Sequence, residues 1–94
     1  MTGSKKGLYK FSQYFGRMGD LEGLFIATKD EVESLIQKEK YFGEVLGKHS
    51  EVVSVIKADD ITLISDDTIV VEAIQSSIKG TTLSGINPLQ YEEV

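Results

Sequence analysis

The chain has no cysteine, one histidine, one proline and no long apolar run, and each shortage removes a class of function. Without cysteine there is no disulfide framework, no thiolate zinc site and no thiol nucleophile, a composition that suits a reducing compartment. One histidine is too few for a histidine-rich zinc centre. The apolar stretches fall short of the roughly 18 to 20 residues that span a bilayer, and the N-terminal region holds no hydrophobic segment of the signal-peptide type. The expectation is a soluble, cytoplasmic protein with no membrane partner.

Positive charge is also scarce and unevenly spread. Residues 1–20 carry a net +3, residues 21–57 a net −2 and residues 58–94 a net −6, which together make the formal charge of −5. A nucleic-acid surface needs clustered Lys and Arg against phosphate, so this balance argues against one. An acidic C-terminal half suits a basic partner, although net charge also serves solubility.

What is present fits one small domain: 94 residues, 40% of them hydrophobic, the make-up of a folded soluble protein rather than a disordered one. Residues 41–56, YFGEVLGKHSEVVSVI, stand at the centre of the reading. β-Branched and aromatic residues fill two arms, and Gly47-Lys48-His49-Ser50 joins them, with Gly47 free to reverse the chain and Ser50 able to bond local backbone. Period-2 alternation sets Phe42, Glu44 and Leu46 on one face and Tyr41, Gly43 and Val45 on the other. The stretch predicts a hairpin with a charged tip.

Earlier in the chain, residues 7–16 alternate with Tyr9, Phe11, Gln13 and Phe15 on one side, and residues 21–27 are again extended. They predict a hairpin closed around Arg17 and Gly19, with Gly23 marking a bulge. Thr28 and Glu31 have the spacing of a capping box and predict a helix over about 29–38. Val32, Leu35 and Ile36 form its packed face, and Lys38 and Lys40 lie near its negative end.

After the central hairpin, residues 61–64 predict a short strand. Ser65 is the expected cap of a second helix whose stripe is Val70, Ala73, Ile74 and Ile78. Residues 1–6 predict a flexible leader and residues 80–94 a flexible tail, although Ile86, Leu89 and Tyr91 are more apolar than a solvated tail requires. The expected architecture is a single α+β domain over 7–79, in the order ββαβββα. It has a mostly antiparallel sheet of about five strands, with both helices over one face.

Candidate contact residues are Arg17, Tyr41, Lys48, His49 and Ser50. Lys48 and His49 at a hairpin tip suit an anion or a partner, and Arg17 in a glycine-flanked turn suits a carboxylate or phosphate. His49 beside Ser50 does not make a nucleophile and base, because strand neighbours point to opposite faces. Glu44 and Glu51 are expected to face each other across the hairpin, where a carboxylate pair can support acid–base work, although ordinary surface strand positions account for both. Asp59-Asp60 and Asp66-Asp67 lack the spacing of a calcium loop and read as a turn and a helix start. No metal and no cofactor are expected.

GEVLGKHSEV, with the stretch from Gly-Arg-Met-Gly to Leu-Glu-Gly-Leu-Phe-Ile-Ala, resembles short uncharacterised proteins of bacteria and their phages over about residues 14–67. The resemblance carries no activity or functional residue and implies a small accessory protein of a bacterial cytoplasm. Together these readings favour a non-enzymatic binding or regulatory module with a protein partner, either a monomer or a homodimer. Were the chain phage-encoded, modulation of a host protein would be the natural form. The alternative is a protein that binds a small anionic metabolite or nucleotide through Arg17, Lys48, His49 and Tyr41. A hydrolase or isomerase using His49 with Glu44 or Glu51 is the least favoured.

Overall fold

In the computed structural model, which describes residues 5–47 and 51–94, β1 (Lys6–Tyr14) and β2 (Asp20–Thr28) pair antiparallel along their whole length. Lys6 lies opposite Thr28 and Tyr14 opposite Asp20. A single turn of 3-10 helix, Gly16–Met18, joins them, and Gly16 (φ +62°) and Gly19 (φ +110°) take the left-handed backbone that makes so tight a reversal possible. β5 (Ile61–Ser65) adds to the free edge of β1 and β6 (Thr82–Gly85) to that of β2. The order of this four-stranded sheet is β5-β1-β2-β6.

The odd-numbered side chains of β1 and β2 make the main core. Tyr9, Phe11, Leu21, Phe25 and Ala27 are buried there together with Leu35, Phe42, Val52 and Ile56. Leu35 comes from α1 (Lys29–Leu35), and Phe42 and Val52 come from β3 (Glu39–Gly43) and β4 (Val52–Val55). β3 pairs with β4 on one side and with β7 (Glu92–Glu93) on the other, which makes a second, three-stranded antiparallel sheet, β4-β3-β7, over the odd face of the first. Phe42 is the hinge of this packing. Its ring lies 5.8 Å from that of Phe11 and 5.0 Å from that of Tyr91, within the usual range for paired aromatics.

The structure is α+β, and its element order as far as α2 (Thr68–Ser77) is the expected one. It departs from expectation in three ways. First, the strands form two stacked sheets rather than one sheet of about five. After α1 the chain turns at Gln37 (φ +72°), whose N–H donates to the Ile56 carbonyl at 2.7 Å. That bond starts the β3–β4 ladder over the face of the first sheet instead of at its edge.

Second, the helices lie on opposite faces. β4-β3-β7 and α1 fill the odd face, whereas α2 covers the even face, where Val71 packs on Leu8 and Ile26 with Ile74 and Leu83 around them. The stripe of α2 is therefore rotated by one residue from the expected one: Val71 is 2% exposed and Val70 42%. Its cap is Asp67, which accepts from Ile69 N–H at 2.9 Å, and Ser65 instead accepts from Asp67 N–H. A carboxylate at this position also suits the positive end of a helix.

Third, residues 80–94 are part of both sheets rather than a flexible tail. β6 extends the first sheet and β7 the second. Between them Asn87, 1% exposed, donates to Thr82 Oγ1 at 3.0 Å and accepts from Leu89 N–H at 3.0 Å. The expected leader of residues 1–6 is likewise entered by β1, which starts at Lys6.

The capping box is as expected, with Thr28 Oγ1 accepting from Glu31 N–H at 3.1 Å and Glu31 Oε1 from Thr28 N–H at 2.9 Å. α1 ends at Leu35, short of Lys38 and Lys40. Those lysines serve the C-terminal segment instead: Lys38 pairs with Glu93 at 3.7 Å, and Lys40 donates to the Tyr91 carbonyl at 3.1 Å. Among the described residues no helix is long and apolar enough to cross a membrane.

Gly23 was expected at a bulge. It pairs regularly with Gly85, and the register shift comes one step later, between Leu24 and Phe25. Its role is close approach, because a Cβ there would overlap the backbone of Ile86. Gly23→Ala is therefore expected to cost about 1–3 kcal/mol, as overpacking does. In hydrogen exchange residues 82–93 lose protection first. Unchanged protection there would contradict the close approach.

Candidate functional site

The register of β3 with β4 decides which side chains face water. Tyr41 lies opposite Val53, Glu39 opposite Val55, and on the other side Tyr41 lies opposite Glu92 of β7. Phe42 and Val52 point into the core, so alternation turns Tyr41, Val53 and Val55 outward, and they are 41%, 45% and 39% exposed. Three exposed carboxylates, Glu39, Glu51 and Glu92, frame this short apolar strip, and among the described residues none of them makes an ion pair. The lysines of β3 and its approach do not offset them. Lys40 is half-buried on the Tyr91 carbonyl, and Lys38 is paired with Glu93.

Tyr41 is tied into the frame, for its hydroxyl donates to Glu51 Oε2. That bond is the main reason its phenol is held above the ordinary value. Partial burial and the charges of Glu51 and Glu44 add to the effect. The chemistry on offer is a flat, aromatic and β-branched surface under a negative potential.

Of the contact residues read from the sequence, Tyr41 belongs to this strip. Arg17 is exposed in the Gly16–Met18 turn. That turn lies against the connection of the β3–β4 hairpin, since a Cβ at Gly19 would sit 3.6 Å from Leu46 Cδ2. Lys48, His49 and Ser50 lie outside the described residues. The expected alternation through residues 41–46 ends early. Gly43 takes φ +73° and the pairing shifts there, so that Val45 and Leu46 both pack toward the core. Glu51, expected to face Glu44, accepts from the Tyr41 hydroxyl.

The aspartate pairs are used locally. Asp60 Oδ2 accepts from Gln13 Nε2 at 2.8 Å and from Lys57 N–H at 2.9 Å, and Asp67 caps α2. Among the described residues no group of three or more His, Asp or Glu is placed to hold a metal ion.

Sequence reasoning missed Val53, Val55, Glu39 and Glu92. The alternation of residues 52–55 about a buried Val52 carries the signal for the valines. Glu92 had none, because its pairing with Tyr41 depends on where β7 docks. Compared with known protein families, curated proteins and solved structures, the chain matches none of them.

The hydrogen bond to Glu51 has a measurable sign. Ionising Tyr41 destroys the donor and sets a phenolate beside carboxylates. The folded-state pKa therefore lies above the ordinary value near 10. The contribution of this bond to stability is complete below about pH 10 and is lost as pH rises through the folded value. In ultraviolet phenolate titration, Glu51→Gln is expected to move one tyrosine transition to lower pH. An unmoved titration curve would refute the bond.

Proposed function

We propose that this chain is a small, non-enzymatic binding module that docks a basic protein surface on the outward face of β4-β3-β7. The carrying observation is the strip of Tyr41, Val53 and Val55 inside a frame of Glu39, Glu51 and Glu92. An exposed aromatic beside β-branched side chains is the material of an interface centre, and a one-sign rim selects and steers a partner of opposite charge. Arginine suits this face best, since its guanidinium pairs with carboxylates and stacks on tyrosine. A cytoplasmic setting agrees with the lack of cysteine. The carboxylates around Tyr41 weigh against the alternative in which it helps to hold an anion.

A photo-crosslinking residue at Val53 tests the reading in cells. The expected adduct is one polypeptide with a basic contact surface, lost when Glu39 and Glu92 are both replaced by lysine and weakened by added salt. With the purified partner, Tyr41→Ala is expected to weaken binding by about 2 kcal/mol, roughly thirtyfold, the scale of an interface hot spot. Equal crosslinking by the charge-reversed protein would sink the proposal.

A further inference from the structure

A second surface lies apart from that face and shares no residue with it. An edge strand presents unpaired backbone N–H and C=O groups, and sheets ordinarily guard such edges with charge, proline, bulges or a covering segment. Among the described residues the two sheets have four edges. β7 is guarded by being two glutamates, and β4 gives its Val55 carbonyl to Gln13. β6 is broken by a register shift and ends at Gly85, whose φ is +66°. The fourth edge, β5, reads Ile-Thr-Leu-Ile-Ser, with no charge, no proline and no glycine.

Its pairing with β1 is regular from Ile61 to Leu63, and the register shifts only beyond, at Ile64. Leu63 is 47% exposed and Ile64 51%. These are β-formers left uncovered along an open edge, the material that a further strand adds to.

Charge decides what kind of strand fits. Asp59-Asp60 precede β5 and Asp66-Asp67 follow it, so residues 57–67 hold four aspartates against Lys57, a net −3. Asp59 and Asp66 are exposed and make no hydrogen bond or ion pair among the described residues. On the α1 side Lys5 and Lys29 come near Leu63 and Asp66, but Asp30 and Glu33 stand beside them and balance them. A second copy of the chain is a poor occupant. Two β5 strands paired in either direction would set aspartates beside aspartates at both ends, and like charges so placed oppose association.

We propose that β5 is a docking edge for an extended peptide segment, which joins the first sheet as a fifth strand, its uncharged β-branched centre along Ile61–Ser65 and lysine or arginine at both ends beside the aspartate pairs.

The probe is the synthetic peptide KRVTVTVRK, titrated into the labelled full chain by heteronuclear NMR. It is expected to shift the amides of residues 61–65 and to slow their hydrogen exchange. The acid-ended peptide EEVTVTVEE is expected to bind at least about tenfold more weakly, the scale of a lost charge match. KRVTVTVRK N-methylated at every central residue cannot donate to the edge and is expected not to bind there. Ile64→Lys, which puts a charge on the edge at an exposed position, is expected to weaken the peptide about tenfold with amide dispersion unchanged. Asp59→Lys combined with Asp66→Lys is expected to reverse the preference between the two peptides, a result that damage to the fold would not produce. Equal binding of the acid-ended or N-methylated peptide would overturn the proposal, as would no shift at residues 61–65 with millimolar KRVTVTVRK. Shifts confined to Tyr41 and Val53 would also overturn it while favouring the β4-β3-β7 face. A dimer in sedimentation that Ile64→Lys dissolves would overturn it in favour of a second copy.

Discussion

The nine-residue pairing of β1 with β2 is the constraint from which the other contacts follow. A ladder that long holds every side chain of both strands to one face or the other. The odd face of this ladder is aromatic, and its even face carries Leu8 and Ile26. An antiparallel sheet with apolar groups on both sides needs a layer on each. On one side the layer is the three-stranded sheet with α1, and on the other it is α2.

The two sheets are held by more than apolar contact. Gln13 on β1, 8% exposed, reaches across to donate to the Val55 carbonyl at 3.0 Å and to Asp60 at 2.8 Å, while its own Oε1 is buried without a partner. A polar group so placed fixes the relative position of the sheets, because any slip would leave further buried groups unpaired. The same position turns Val55 outward and sets the edge of the exposed strip. The strip is thus a by-product of this packing, because β3 is covered on its Phe42 side only.

Local chemistry was legible wherever one residue acts on its neighbours. The Thr28–Glu31 capping box and the glycine turn around Arg17 involve partners within a few positions, so their geometry is written in short spacings. The second helix was legible as a helix but not in phase. Val70, Val71 and Ile74 permit two stripes one residue apart, and only Leu8 and Ile26 across the sheet choose between them. Asp67 displaced Ser65 as the cap for a similar reason, since β5 extends to Ser65 and engages that residue in its pairing with Leu8.

The C-terminal segment marks the limit. Glycine, serine, threonine and proline from residue 80 onward have weak preferences for regular structure, and nothing in that stretch announces a strand. It is ordered by distant partners: the Gly23–Gly85 approach, the Ile86 N–H to the Glu22 carbonyl at 2.9 Å, Asn87 on Thr82, and Tyr91 on Phe42. By itself the amino-acid sequence determined the kinds of element, their order through α2 and the chemistry excluded by its composition. These depend on period, caps and inventory, which are local. Only the tertiary structure decided that there are two sheets, which face each helix covers and which carboxylates surround Tyr41. Each of these is a contact between residues far apart in the chain, and no spacing along it encodes which of several apolar faces will meet.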